Sequence, residues 1–149
     1  MSANIVKTSS SELVEKPPAC VGDLMTSELV LLSPHDTLAD AACLMATRHV
    51  DHILVVDDSG ELVGTISYSD ILYAAAYRPK PQLEEVQHVM TRKPITVKYD
   101  TPLSTAVSKM NAKPFHCLPV LSDDGAVCGL ITHAELLKSY HIYLEVREK

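Results

Sequence analysis

Two short segments of the chain carry the residues best suited to bind a small polar ligand. Gly64-Thr-Ile-Ser67-Tyr-Ser-Asp70 and Gly129-Leu-Ile-Thr132-His-Ala-Glu135 each place a hydroxyl three residues before a carboxylate. This spacing is typical of a capping box, in which the two side chains satisfy the first amides of a helix. A hydroxyl at a helix N-terminus also suits an anion, and a carboxylate in the first turn can accept hydrogen bonds from a ribose diol. Both interpretations stay open at this point.

Histidines offer weaker candidates. His49 and His52 lie three residues apart, a spacing that would place their rings on opposite faces of a strand. We therefore interpret them as lining the loop before that strand rather than as a metal pair. His116 and His133 lie near the two hydroxyl-carboxylate segments, where each either contacts a phosphate or stays solvated.

The chain has no pattern typical of an enzyme. No motif surrounds a Ser-His-Asp or Cys-His set, and no glycine-rich phosphate loop ending in Gly-Lys is present. Its four cysteines include no C-x-x-C pair, so no spacing supports a zinc site. We predict no catalysis, no metal and no required cofactor. We interpret the four cysteines as reduced, which favours a cytoplasmic location. They are Cys20, Cys43, Cys117 and Cys128.

An internal repeat must position the two segments. Residues 21–72 align with residues 86–137 at a constant offset of 65, without a gap, and 12 of the 52 positions are identical. An ungapped match of this length indicates one structural unit that occurs twice. The identical pairs include Val21/Val86, Met25/Met90, Thr26/Thr91, Gly64/Gly129 and Leu72/Leu137.

Each repeat is predicted to fold as β-α-β-β-α. In the first, residues 29–32 form a strand, and Leu38, Ala41, Ala42 and Met45 recur at helical spacing. Asp36-Thr37 with Asp40 predicts a capping box for that helix. Two strands joined by a tight turn and a second helix near Tyr68 follow. In the first copy the two strands are predicted at 53–56 and 62–66, with the turn at 57–60. In the second copy the strands are predicted at 94–97, 118–121 and 127–131, with the turn at 122–125.

The repeat divides the chain of 149 residues into five parts. Residues 1–20 are predicted to be a flexible tail. Repeat 1 spans 21–72, a helix end and linker span 73–85, and repeat 2 spans 86–137. Residues 138–149 are expected to extend the last helix. At 52 residues each repeat is marginal alone, so we predict an α+β fold in which the two pack through their sheets as a pseudo-two-fold pair.

Charge and hydropathy exclude two classes of partner. The net charge of −6 argues against nucleic acid, whose binding depends on Lys and Arg contacts to phosphate. No apolar run approaches the roughly 20 residues of a membrane span. The charge is uneven: residues 21–72 hold nine acids and one base, and residues 86–137 hold four acids and five bases. The second repeat therefore tolerates an anion better than the first.

At this point the repeat resembles the CBS domain, named after cystathionine β-synthase, and the chain resembles a tandem CBS pair, or Bateman module. The resemblance rests on Met25-Thr26, Asp36-Thr37-Leu38, the strand 53–57 with Gly60, and the segment 64–70, each with a counterpart in the second copy. It implies a regulatory module that binds adenosine-containing ligands such as AMP, ADP, ATP or S-adenosylmethionine. It also implies a homodimer and an unknown protein that it regulates.

The resemblance also implies two clefts across the paired sheets. Cleft A would combine the first segment with the second repeat, and cleft B the second segment with the first repeat. Cleft A would use Thr65, Ser67, Ser69, Asp70, Pro94, Ile95, Phe115 and His116. Cleft B would use Val30, Val50, Asp51, Leu130, Thr132, Ala134 and Glu135.

Cleft A is the favoured nucleotide site on charge. It keeps the shorter aspartate for the ribose, has Lys113 and His116 nearby, and offers Phe115 either as a cover for adenine or as intersheet core. Cleft B sets Glu135 beside Asp51, and two carboxylates disfavour a phosphate. We expect cleft B to be empty, weaker, or occupied by an adenosine ligand with an uncharged or cationic tail. The alternative function is a structural or interaction module whose clefts are vestigial.

Overall fold

The computed structural model describes residues 5–7, 13–15, 18–112 and 116–138. Within the tail that the sequence predicts to be flexible, strands β1 (Ile5–Lys7) and β2 (Leu13–Glu15) pair antiparallel. Phe115 and residues 139–149 lie outside the described residues, so the proposed adenine cover and most of the expected C-terminal helix do too. No helix among the described residues is long and apolar enough to cross a membrane.

Both copies of the predicted β-α-β-β-α unit are present. The first copy consists of β3 (Leu31–Leu32), α1 (Leu38–Arg48), β4 (His52–Val56), β5 (Leu62–Ser67) and α2 (Tyr68–Tyr77). The second consists of β7 (Val97–Lys98), α3 (Leu103–Ala112), β8 (Cys117–Leu121), β9 (Val127–Thr132) and helix α4 over 133–138, preceded by a short strand β6 (Thr91–Arg92).

Local chemistry explains why these elements begin and end where they do. The Thr37 hydroxyl accepts from the Asp40 amide while the Asp40 carboxylate accepts from the Thr37 amide, which starts α1. The helix ends at His49, whose φ of 55° is left-handed. In the turn between β4 and β5, Gly60 adopts a φ of 85° that favours glycine. The predicted helix and hairpin are therefore confirmed.

The two sheets exchange short strands. In the first sheet β3 pairs parallel with β4, β4 antiparallel with β5, and β5 antiparallel with β6. Strand β6 comes from the N-terminal end of the second copy. Reciprocally, Thr26 from the first copy pairs with Leu130 on β9 through N–H···O bonds of 2.9 and 3.0 Å. Each copy therefore supplies an edge of the other copy's sheet.

The exchange extends into the two cores. Val86, fully buried, packs in the core of the first copy with Ile53 and Ile66. Val21, fully buried, packs in the core of the second copy with Leu118 and Ile131. The compact units thus differ from the sequence repeats, because apolar residues at the start of each repeat pack on the core of the other. These are Val21, Leu24 and Met25 on the second core, and Val86, Val89 and Met90 on the first.

Two identical glycines make room for this exchange. An ideal Cβ at Gly64 would lie 2.8 Å from the Thr91 carbonyl oxygen and closer still to Met90. An ideal Cβ at Gly129 would meet Thr26 and Met25 in the same way. In each copy, therefore, the repeated glycine contacts the repeated methionine of the other copy.

The sheets pack face to face, as the sequence predicts. A cluster of apolar side chains from both copies fills the junction, with Leu54 from β4 against Cys117 and Leu130 from the second sheet. Thr65 is the buried polar residue here, and its hydroxyl is within hydrogen-bonding reach of the Cys117 thiol. The linker is fixed as well, because the Leu38 amide donates to the Glu84 carbonyl at 2.9 Å.

Candidate functional site

A cavity of about 530 Å³ lies at the junction of the two sheets, open to solvent on one side. Both copies line it, and so do the N-termini of α2 and α4. The lining residues are Thr26, Glu28, Leu29, Val30, Arg48, His49, Val50, Asp51, His52, Leu54, Ser67, Tyr68, Ser69, His116, Leu130, Thr132, His133, Ala134 and Glu135. Its volume lies in the range of small-molecule sites, and its lining combines six apolar residues with thirteen polar or charged ones.

Helix α4 begins at the cavity with a capping arrangement. The Thr132 amide donates to Glu135 Oε2 at 2.7 Å, and the Thr132 hydroxyl also donates to that oxygen. The Ala134 amide donates to the Thr132 hydroxyl at 3.2 Å. The capping interpretation of this segment is therefore correct. Among the described residues these contacts use Oε2 alone, so the carboxylate of this cavity-lining residue retains acceptor capacity on Oε1.

Helix α2 begins with the same arrangement. The Ser67 amide donates to Asp70 Oδ2 at 2.9 Å, and the Asp70 amide donates to the Ser67 hydroxyl at 3.3 Å. The hydroxyls of Ser67 and Ser69 are 2.8 Å apart, and both residues line the cavity. Hydroxyl groups from both copies therefore line the cavity.

The fixed charges of the cavity are mostly negative. Glu28, Asp51 and Glu135 contribute carboxylates, and Arg48 contributes a guanidinium. With neutral histidines the charge of the lining is −2. This agrees with the negative charge expected for cleft B, although the arginine at the end of α1 was not part of that expectation.

Four histidines also line the cavity, two from each copy: His49, His52, His116 and His133. The rings of His116 and His133 meet edge to face with centroids 5.8 Å apart. Burial lowers the pKa of His52, the nearby His116 lowers it further, and Asp51 partly opposes the effect. His52 is therefore neutral at pH 7, whereas His116 and His133 are exposed to solvent.

The structure brings all seven residues proposed for cleft B into this one cavity. Three of the residues proposed for cleft A, namely Ser67, Ser69 and His116, line it as well. The remaining described residues of cleft A lie elsewhere: Thr65 is buried at the sheet junction, Asp70 caps α2, Pro94 is half-buried, and Ile95 packs on the second core.

Sequence reasoning missed two charged residues of this site, Arg48 and Glu28, whereas it placed His49 in the loop before β4. Arg48 reaches the cavity because α1 ends there, and Glu28 does so because the chain enters β3 along its rim. Each lies two residues from a residue that the resemblance did identify. Extending the two loops by two residues in each direction would have found them.

The remaining candidate chemistry has a structural explanation. Burial raises the pKa of the Cys117 thiol to about 12, so this cysteine is an unreactive part of the junction. All four cysteines are free. Within residues 18–112 and 116–138, no three histidine, cysteine or acidic side chains are arranged to hold a metal ion.

Comparison with known proteins gives a consistent result. The family model of the CBS domain matches residues 21–77 and 86–142. The structure of the CBS domain pair of protein MJ0100 in complex with 5′-methylthioadenosine and S-adenosyl-L-methionine superposes with a TM-score of 0.76, at 26% identity over 83% of this chain and 98% of that one. CBSX2 in complex with AMP gives 0.71, at 28% identity over 87% and 99%.

Two of the curated relatives are much longer than this chain. The L-aspartate semialdehyde sulfurtransferase of Methanosarcina acetivorans is 30% identical over 118 residues, which are 79% of this chain and 23% of that protein. The inosine-5′-monophosphate dehydrogenase of Methanocaldococcus jannaschii is 27% identical over 127 residues, 85% of this chain and 25% of that protein. The chain thus spans about a quarter of the length of these relatives.

Proposed function

The chain belongs to the CBS domain family, and on that premise we propose that it is a regulatory module that senses an adenosine-containing ligand. The ligand binds in the cavity between the two copies. The observation that carries this proposal is the cavity itself, because both copies and two helix N-termini meet there. A ligand that contacts both copies at once biases their relative arrangement.

The contacts available in the cavity suit an adenosine. Val30, Val50 and Leu130 offer apolar surface for the base. The Glu135 carboxylate has acceptor capacity for a ribose hydroxyl, and the Thr132 hydroxyl lies beside it at the start of α4. Two solved relatives support this class of ligand, since one was crystallised with 5′-methylthioadenosine and S-adenosyl-L-methionine and another with AMP.

We assign different ligands to the two clefts. The cavity, which is cleft B, has a lining charge of −2 with neutral histidines and therefore takes an adenosine compound with an uncharged or cationic tail at neutral pH. Cleft A, around Asp70, remains the proposed site for a phosphate-bearing nucleotide such as AMP, ADP or ATP.

The proposed output is a conformational change read by a separate cytoplasmic protein, without catalysis. The enzyme names of the curated relatives belong to chains of which this one matches about a quarter. The hydroxyls of Ser67 and Thr132 donate to Asp70 and Glu135 within the caps of α2 and α4, which gives both pairs a structural role. The alternative, an interaction module with vestigial clefts, predicts that no adenosine compound binds.

A thermal-shift screen tests the proposal directly. We expect S-adenosylmethionine, 5′-methylthioadenosine or an adenine nucleotide to raise the melting temperature, because a ligand at 100 times its Kd adds about 2.7 kcal/mol to the free energy of unfolding. Guanosine monophosphate serves as the matched control for base recognition. If no adenosine compound shifts the transition, the interaction-module alternative replaces this proposal.

We also propose that two copies of the chain pair through α2. This helix exposes an apolar face on which Leu72, Tyr73 and Tyr77 are 62, 64 and 74% exposed, and α4 repeats Leu72 as Leu137. Because the pseudo-two-fold axis presents the same face twice, a second copy can cover both at once.

Sedimentation of two variants tests this pairing. Leu72→Glu should convert a dimer into a monomer, because it places a charge on the apolar face. Leu83→Glu, equally exposed but outside α2, should remain a dimer. A monomeric parent chain would contradict the proposal.

A further inference from the structure

The cavity gathers more histidines than its proposed adenosine contacts require. Four of the seven histidines of the chain line it, and they come from four different places. His49 ends α1, His52 begins β4, His116 precedes β8, and His133 begins α4. Because the two copies supply two each, the cluster exists only when the copies are packed together.

The charged groups that face these histidines are few. Glu28, on the approach to β3, and Asp51, between α1 and β4, are acidic, as is Glu135 on α4. Asp70 on α2 adds a fourth carboxylate just outside the lining, close enough to raise the pKa of His52. Arg48, at the end of α1, is the basic lining residue, and Tyr68 at the start of α2 adds a phenol. Ser67 and Ser69 are uncharged. The lining therefore carries −2 with four neutral imidazoles and would reach +2 if all four were protonated.

The four histidines differ in burial. Burial lowers the pKa of His52, and the nearby Asp51 and Asp70 partly oppose this effect. His49, His116 and His133 are exposed to solvent. Imidazole is the side chain that ordinarily changes its charge between about pH 5 and 8, and each histidine that gains a proton makes the lining less negative by one charge.

We propose that these four histidines select between two classes of ligand, so that the cavity takes an uncharged or cationic adenosine compound at neutral pH and a phosphate-bearing one under mildly acidic conditions. This rests on the proposed adenosine function and adds its specificity and regulation. A phosphate beside Asp51 and Glu135 is repelled until imidazolium groups offset those carboxylates. An uncharged ligand has no net charge for the field to act on, so its affinity stays constant.

The test follows cavity occupancy in the full chain at pH 8 and pH 6. Backbone amide signals of Thr132 and Ala134 in isotopically labelled protein report binding of AMP or 5′-methylthioadenosine at this site rather than at cleft A. We expect the affinity for AMP to rise at least about tenfold at pH 6, and that for 5′-methylthioadenosine to change less than about twofold. Protonation of the AMP phosphate near pH 6 removes negative charge from the ligand. This protonation alone would lower the affinity for a positively charged cavity, so it does not account for the expected rise.

Two double variants test whether the four cavity histidines cause the rise in AMP affinity. His49→Asn with His133→Gln should reduce the rise for AMP to less than about threefold, since asparagine tolerates the left-handed backbone at residue 49 and neither residue belongs to cleft A. His35→Gln with His88→Gln removes two exposed histidines outside the cavity and should keep the full rise. The single variant His133→Gln, at an exposed position, serves if the double variant does not fold.

Three results would overturn the inference. The first is an unchanged rise in the cavity variant, and the second is an equal rise for 5′-methylthioadenosine. In both cases the adenosine function stands, because ligand still binds. The third is no binding of either compound at either pH, and this result rejects the proposed function together with the inference.

Discussion

Glu135→Ala binds the adenosine ligand of the cavity at least about tenfold more weakly than the parent chain. A hydrogen bond from a ribose hydroxyl to a carboxylate contributes about 1.5–3 kcal/mol, which corresponds to a loss of roughly ten- to a hundredfold in affinity. Isothermal titration with 5′-methylthioadenosine at neutral pH measures this loss. The substitution also removes a helix cap, so a small fall in melting temperature accompanies it.

Asp40→Ala separates these two effects. Asp40 caps α1 with the same geometry, accepting from the Thr37 amide at 3.0 Å as Glu135 accepts from the Thr132 amide at 2.7 Å, but it does not line the cavity. It should lose stability and keep full affinity. Asp70→Ala should leave 5′-methylthioadenosine binding intact and weaken AMP binding at neutral pH. Equal loss of 5′-methylthioadenosine from all three variants would show that helix capping, not ligand contact, is being measured.

Gly64→Val destabilises the fold by about 2–4 kcal/mol, at the upper end of the effects of overpacking. The backbone at Gly64 does not require glycine, because its φ is not positive. The cost comes from the exchanged strand, since the new side chain meets Met90 and the Thr91 carbonyl oxygen. Chemical denaturation of Gly64→Ala and Gly64→Val should give a graded loss of the free energy of unfolding.

A second substitution identifies the contact responsible. Met90→Ala in the Gly64→Val background should restore part of the lost stability, because Met90 supplies two of the three nearest atoms. Restoration will be incomplete, since the Thr91 carbonyl oxygen stays 2.8 Å from the Cβ position. Wild-type stability of Gly64→Val would mean that β6 does not pair with β5 as described.

Much of the fold could be predicted because its signals are local. Leu38, Ala41 and Met45 recur at helical spacing and are buried on one face of α1. The helix starts at Tyr68 and His133 follow from the hydroxyl-carboxylate spacing. The exchanged edges could not be predicted in this way, because pairing Thr26 with Leu130 is a long-range contact that leaves no periodic pattern. The sequence feature that corresponds to this contact is the identity of one glycine and one methionine in both repeats.

Part of the cavity lining could be named from the sequence, but its balance of charge could not. All seven residues proposed for cleft B line one cavity. The net charge of each repeat does not give the charge of the cavity, because residues of both repeats line it. Arg48 and His133 therefore share one space although they come from different copies. Which side chains face a cavity depends on tertiary packing, and the sequence of one repeat does not contain that information.

The exchange of edge strands has a consequence for biosynthesis. The first core needs Val86, so it is complete only after the second repeat has begun to leave the ribosome. Val21 and Thr26 must wait for Ile131 and Leu130, about a hundred residues later, which at about 5–20 residues per second takes roughly 5–20 s. The segment around Val21 is therefore made before the rest of the first repeat but is among the last to be placed. A nascent chain arrested after the first repeat would expose Val21 to chaperones, and release of the second repeat would remove that binding site.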